Sequence, residues 1–174
     1  MDDFFISQIA RIGRLTSLQA LNLFDVRREI GFRISELKYL NNIQDYLELT
    51  SLDLVGGAKE AEEAELKEKQ HIYSLNLNWN FEGEQQRNDK DVLERLRPHQ
   101  LGDSSPESRG ESEHITWFPA LKKLSIYNMP DFETLSIGNG GQPFPMLLEL
   151  SVQVCPKLVQ VSPLPPQLKK LEMY

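Results

Sequence analysis

The 174 residues are 40% hydrophobic and 26% charged with aromatics at only 9%, so the apolar mass is aliphatic and led by leucine. Acids outnumber bases 26 to 19 for a formal net charge of −7, which argues against nucleic acid and anionic membranes, since both require clustered Lys and Arg. The single cysteine, Cys155, leaves no internal disulfide, and neither a signal-peptide pattern nor a run of about 18 apolar residues occurs; a cytoplasmic or nuclear protein is expected.

Taken in chain order, a single pattern keeps returning, L-x-x-L-x-L. It first appears as Leu18-Leu21-Leu23. The segment YLELTSLDL then offers two registers, Leu47-x-Leu49 and Leu52-x-Leu54. Residues 57–70, GAKEAEEAELKEKQ, predict a helix of strong formers with Glu63–Lys67 and Glu65–Lys69 at i,i+4 and a small face of Ala58, Ala61 and Ala64. Ile72-Leu75-Leu77 repeats the pattern, and 89–97, DKDVLERLR, predicts a second helix with Asp89 at its cap, ending before Pro98. Residues 99–114, rich in Gly, Ser, Pro and acids, predict a flexible loop. Beyond it come Leu121-Leu124-Ile126, Leu147-Leu150-Val152 and Leu168-Leu171-Met173, separated by Pro-containing extended segments that suit turns into a strand.

The pattern has a direct physical meaning. In L-x-L both apolar side chains fall on one face of a strand, because Cβ direction alternates. One such unit cannot bury that face alone, so neighbours must stack into a parallel ladder. With the first register at YLEL, the middle leucines fall at 21, 47, 75, 124, 150 and 171, spacings of one repeat except for a gap of about two repeats after Leu75. The expectation is an α/β solenoid: a parallel β-sheet on the concave face, with mixed helical and extended convex segments. It divides into an N-terminal part with convex helices (1–98), the loop (99–114) and a Pro-rich C-terminal part (115–174).

Chemistry is sparse by comparison. His71, His99 and His114 are far apart and lack the Cys or His partners that metal ligation needs, so they read as surface histidines. Cys155 follows a strand with no neighbouring base and reads as a buried structural thiol. Asp89, Asp91 and the acids of 60–68 read as solvated helix faces. Neither a G-x-x-x-x-G-K-[ST] phosphate cradle nor a G-x-S-x-G nucleophile elbow occurs. No catalytic, metal or cofactor site is expected. The candidate recognition residues are instead the outward positions of the strands: Gln19, Ala20 and Asn22; Tyr73, Ser74, Asn76 and Asn78; Lys122, Lys123, Ser125 and Tyr127; Glu149, Ser151 and Gln153; Lys169, Lys170 and Glu172. Trp79, closing the strand NLNW, fits a contact residue and a packed one equally well.

The ordered phrases IGRLTSLQALNLFDV, GFRISELKYL, LTSLDLVGGAKEAEEAELKEKQHIYSLNLNW, VLERLRPH, FPALKKLSIYNMP, FPMLLELSVQVCPKL and LPPQLKKLEM resemble the leucine-rich-repeat region of plant nucleotide-binding, leucine-rich-repeat disease-resistance proteins of the coiled-coil class. The resemblance covers about 1–98 and 115–174. It implies a protein-recognition module in plant defense, its partner a pathogen effector or a nucleotide-binding receptor domain met in trans. After Pro98-His99 the family continues with further strands where this chain has its loop, which reads as an internal loss of repeats. The family's nucleotide-binding module has no counterpart in the sequence, so ATP or ADP binding does not carry over. The alternative is a truncated, non-signalling remnant with only a structural repeat scaffold.

Overall fold

The computed structural model describes residues 9–80, 89–96, 118–135 and 144–174. Its strands are β1 (Leu23–Asp25), β2 (Gln44–Thr50), β3 (His71–Asn78), β4 (Lys123–Tyr127), β5 (Thr134–Leu135), β6 (Glu149–Gln153), β7 (Gln160–Val161) and β8 (Lys170–Met173); its α-helices are α1 (Ala58–Glu63) and α2 (Asp89–Leu96). Six strands form one parallel sheet in the order β1-β2-β3-β4-β6-β8, while β5 and β7 pair separately. Each L-x-x-L-x-L unit thus delivers one strand of the same sheet. A stack in chain order, every pair parallel, is a repeat solenoid of the leucine-rich-repeat type.

Two apolar rows run beneath the sheet and hold it together. One aligns Leu47, Leu75, Leu124, Leu150 and Leu171; the other aligns Leu49, Leu77, Ile126, Val152 and Met173. Leu47-x-Leu49 is therefore the strand register of YLELTSLDL, and Leu52–Leu54 is a 3-10 turn. The long gap after Leu75 does not interrupt the sheet. β3 pairs directly with β4, Leu75 opposite Leu124, and the Trp79 N–H donates to the Tyr127 carbonyl at 3.1 Å.

Two expectations need correction. Leu23 pairs with Glu48 and is only partly buried, whereas Phe24 and Val26 are buried. Leu21 precedes the strand, and the register with β2 sets Phe24 opposite buried Leu49, so Phe24 and Val26 take the inner face. The single helix expected over 57–70 is also broken. α1 stops at Glu63, Glu65 adopts a left-handed conformation (φ 46°), and Leu66–Glu68 forms a 3-10 turn. The break turns Leu66 into the core and frees Glu65 to meet Lys38 at 3.4 Å. Lys69 folds inward instead of pairing along a helix, its ammonium donating to Asn41 Oδ1 (3.3 Å) and the Ala64 carbonyl (3.4 Å). Ala61 and Ala64 are buried beneath α1 as their spacing requires.

α2 buries Val92, Leu93 and Leu96 and meets α1 through Arg95 and Glu62 at 3.8 Å. The N-terminal convex side also uses a close approach at Gly13. Its N–H donates to the Glu36 carboxylate at 3.1 Å, and a Cβ there would lie 2.5 Å from the Glu36 carbonyl oxygen. On the C-terminal convex side one device repeats five times. Leu121, Phe132, Leu147, Leu158 and Leu168 donate their N–H groups to Phe118, Met129, Phe144, Cys155 and Pro165 respectively, each closing a turn with proline in its second position. Proline's fixed φ suits that position, and its missing N–H costs no bond there. The rings of Phe118 and Phe144 stack at 6.4 Å, joining two of these turns. The expected loop 99–114, with His99 and His114, lies outside the described residues, as do Trp117 and the end of the second predicted helix at 97.

Candidate functional site: the outward face of the sheet

Alternation along each strand sends one set of side chains into the core and the other outward. The ladder aligns the outward set into three rows. The first runs Tyr46, Ser74, Lys123, Glu149 and Lys170. The second runs Leu23, Glu48, Asn76, Ser125, Ser151 and Glu172. In the third, Asp25 faces Thr50, and Asn78, Tyr127 and Gln153 follow one another across β3, β4 and β6. The structure therefore brings Ser74, Asn76, Asn78, Lys123, Ser125, Tyr127, Glu149, Ser151, Gln153, Lys170 and Glu172 onto one surface.

The other candidates fall elsewhere. Gln19, Lys122 and Lys169 lie ahead of their strands, on the rim, and Tyr73 lies within β3 one residue before its pairing with β4 begins. There the Lys122 N–H donates to the Tyr73 carbonyl at 2.8 Å and its ammonium sits 5.2 Å from the Tyr73 ring centre. Tyr73 is displaced by a bulge, since Asp45 faces Ile72 while Tyr46 faces Ser74. Ala20 and Asn22 are exposed ahead of β1.

Trp79 is a correction: it is 1% exposed and belongs to the core, not to the contact surface. In the repeats around it the chain leaves the strand at Ser51, Asn128 and Val154, each left-handed; at Trp79 it does not. Leu75, Leu77 and Trp79 therefore fall on one face, as i, i+2, i+4 alternation dictates. Among the described residues its indole N–H finds no hydrogen-bond acceptor.

Besides Leu23, four polar outward residues escape a reading of the sequence: Asp25, Tyr46, Glu48 and Thr50. The signal is present, because they are the outward positions of LFDV and YLELT once the register of each is known. They form the most tightly connected part of the face. The Tyr46 hydroxyl donates to Glu48 (2.8 Å) and accepts from the Asn76 amide (2.9 Å). Burial and the bond to Glu48 together push the phenol well above its ordinary range. Asp25 accepts from Thr50 (2.9 Å), Ser51 (2.8 Å) and Arg27 (3.1 Å). Burial works to raise that carboxyl, but these bonds outweigh it and hold it below its usual value.

The C-terminal half of the face is looser. Lys123 meets Glu149 at 3.0 Å and Lys170 meets Glu172 at 2.9 Å, at its edges. Between them Ser125, Ser151 and Gln153 leave a shallow polar depression of about 120 Å³, floored by Leu124 and Leu150. Small hydroxyls and an amide there can exchange hydrogen bonds with a partner's backbone or side chains. Half-buried Cys155 lies off this face, its thiol donating to the Gln153 carbonyl at 3.4 Å, and burial pushes it up, away from the thiolate. His71 is exposed at the start of β3. Among the described residues no group of three or more His, Cys, Asp or Glu is placed to hold a metal ion, and no helix is long and apolar enough to cross a membrane.

Comparison with known proteins agrees with this architecture. The putative disease resistance protein RGA1 of Solanum bulbocastanum is 26% identical over 205 aligned residues, covering 86% of this chain and 21% of the relative. From the same organism, the putative disease resistance protein RGA4 is 27% identical over 228 residues (94% and 23%), and the disease resistance protein RGA2 is 26% identical over 220 (86% and 22%). The chain spans about a fifth of the length of these curated relatives. Each alignment is longer than the 174-residue chain itself, so each relative carries residues inside the aligned span that have no counterpart here. No solved structure matches. A family model described as R13L1/DRL21 LRRs matches residues 34–136, more than half of the chain, and the protein belongs to this family of leucine-rich repeats.

Proposed function

We propose that this chain is a protein-recognition module of the plant defense response, engaging its partner through the outward face of the sheet and catalysing nothing. The observation that carries the reading is the division of that face. Its N-terminal third is closed on itself by the Tyr46–Glu48–Asn76 and Asp25–Thr50–Ser51 bonds. Its C-terminal half presents the depression around Ser125 and Ser151, edged by Lys and Glu whose exposed ion pairs exchange partners at little cost. A protein loop carrying charges of both signs fits this surface; a polyanion does not, because Glu149 and Glu172 alternate with Lys123 and Lys170. The relatives' names as disease resistance proteins support defense as the setting. The partner would be a pathogen effector or the nucleotide-binding domain of a receptor, met in trans in the cytoplasm.

Titration calorimetry of the purified chain against a nucleotide-binding domain from an RGA-type receptor, and against effectors, tests this. Ser125→Arg with Ser151→Arg should abolish binding by filling the depression, while Glu62→Ala on the convex side should leave it intact. Loss of binding with E62A but not with the serine pair would place the contact on the wrong side. The remnant reading, a scaffold that binds nothing, predicts no heat with any of these partners and a broad thermal transition.

A further inference from the structure

Beside the three outward rows lies a fourth, on the rim where the strands begin. The Lys122 N–H donates to the Tyr73 carbonyl (2.8 Å), that of Leu148 to the Lys122 carbonyl (2.9 Å) and that of Lys169 to the Leu148 carbonyl (2.8 Å). Tyr73, Lys122, Leu148 and Lys169 therefore stand side by side at the heads of β3, β4, β6 and β8. Tyr73 joins this row through the β2–β3 bulge, which turns Tyr73 and Ser74 outward in succession where alternation would bury one of them. Tyr73, Lys122 and Leu148 each have chain on either side, so their exposure is that of a face and not of an edge. The row holds two cations and no acid. Elsewhere on this half of the face each lysine is answered, Lys123 by Glu149 and Lys170 by Glu172. Among the described residues Lys122 and Lys169 enter no ion pair, and the Lys122 ammonium sits 5.2 Å from the Tyr73 ring centre. These are uncompensated cations in a chain of net charge −7.

We infer that this rim takes an acidic segment of the protein partner, one that sets two carboxylates on Lys122 and Lys169 and an apolar side chain between them on Leu148. Two strand spacings of about 4.8 Å separate the backbones of the two lysines, so the acids fall roughly 10 Å apart. Charge complementarity selects this occupant, and Leu148 narrows it. A half-buried leucine between the cations gives an apolar side chain a floor, which a phosphate chain or a free anion does not use. Glu149 and Glu172, next to the row, repel an unbroken run of negative charge. Tyr73 completes the site at its other end. Its ring already holds the Lys122 ammonium, which limits the side-chain freedom lost when a carboxylate arrives. The inference rests on recognition by the outward face, as proposed above, and orients the partner on it. The partner's acids lie at the rim, and its bases reach Glu149 and Glu172.

Selection of a random-sequence peptide library against the full chain tests the inference. Enriched peptides should carry two acidic residues with an apolar one between them. Their affinity, read by fluorescence anisotropy, should fall roughly tenfold or more with K122E/K169E. Added salt should weaken wild-type binding more steeply than binding to that variant. The same selection against K122E/K169E should enrich bases in place of the acids. Circular dichroism checks that the variant keeps the wild-type fold; if it does not, K122Q/K169Q takes its place, with a loss of roughly threefold or more expected. Enriched peptides without paired acids, or acidic ones that K122E/K169E binds as tightly as wild type does, overturn the inference. If such peptides still lose affinity with Ser125→Arg and Ser151→Arg, recognition by the face survives and the rim assignment alone falls. A library from which nothing enriches would sink both.

Discussion

The repeats on either side of the β3–β4 seam solve the same problem with different materials. Before it, the convex side is built from helical turns and α1 and α2, and it buries a lysine. After it, proline turns and stacked phenylalanines do that work, and among the described residues Ser51 and Lys69, both on the N-terminal side, are the only buried polar residues. The sheet passes between them without a fault because a parallel ladder asks only for L-x-L at each strand. The convex side is therefore free to vary in length and type. The outward face differs in the same sense: self-bonded and stiff before the seam, exposed and loosely paired after it. A solenoid can thus hold its shape with one end and keep the other available.

The largest effect that sharpens this contrast lies in one row. Leu150 and Leu171 are register partners, but Leu150 is buried. Leu150→Ala should lower the unfolding free energy by about 2–5 kcal/mol, and Leu171→Ala by roughly 1 kcal/mol or less. Urea denaturation measures both. Equal losses would mean that Leu171 is packed as well as Leu150, and the contrast along the row would fail.

Lys69 comes next. Its burial lowers the ammonium pKa from 10.5 to about 8, against the pull of Glu65 and Glu68, which raise it. Between those two values the folded chain binds fewer protons than the unfolded one, so stability rises with pH across that window and the cost of the buried charge is fully present below it. That cost is of order 3 kcal/mol at neutral pH. Lys69→Met keeps the stem and removes the charge, leaving exposed Asn41 and the Ala64 carbonyl without that donor. Urea midpoints should rise at neutral pH by an amount worth about 1–3 kcal/mol, and the upward slope above about pH 8 should vanish. A variant that keeps the wild-type slope would show that Lys69 is not its source.

Much of this architecture is legible in the sequence because L-x-L is a statement about faces. The six strands, the parallel sheet and most of the outward rows follow from it. The misreadings share one cause: a local rule is applied where a neighbour decides. Leu23 looks like core until β2 sets the phase that puts Phe24 inside. Tyr46 and Glu48 stay hidden while the register of YLELTSLDL is open. The helix over 57–70 has the propensity to continue, yet Leu66 and Lys69 are drawn beneath it, and tertiary burial outranks helix preference. Trp79 is decidable from alternation with Leu75 and Leu77. What obscures it is the usual turn-off at that position, which Ser51, Asn128 and Val154 obey. The dense bonding around Asp25 has no sequence signature, because it joins residues 25 apart in the chain.

Asp25 supplies the finest test of stiff against loose. Its carboxylate joins β1 to β2 through Thr50 and Ser51, and it also holds Arg27, whose guanidinium lies 4.9 Å from the Phe32 ring centre. Removing it leaves two hydroxyls without their acceptor, so Asp25→Ala should cost about 1–2 kcal/mol. The carboxyl is held below its ordinary 3.8, so its contribution is present above that value and disappears as pH falls through the lower folded-state value. The gap between wild type and D25A in urea should therefore be widest near neutrality and close in strong acid. Lys123 and Glu149 look similar at 3.0 Å, but Lys123 is exposed and Glu149 is only half-buried. Lys123→Ala should change stability by roughly 0.5 kcal/mol or less, with little dependence on pH above the carboxylate range. Should K123A cost as much as D25A, the C-terminal rows would hold the sheet together no less than the N-terminal ones. The exposed ion pairs would then no longer be free to exchange for a partner's charges, and the recognition surface would have to be sought on the rim, at Tyr73 and Lys122.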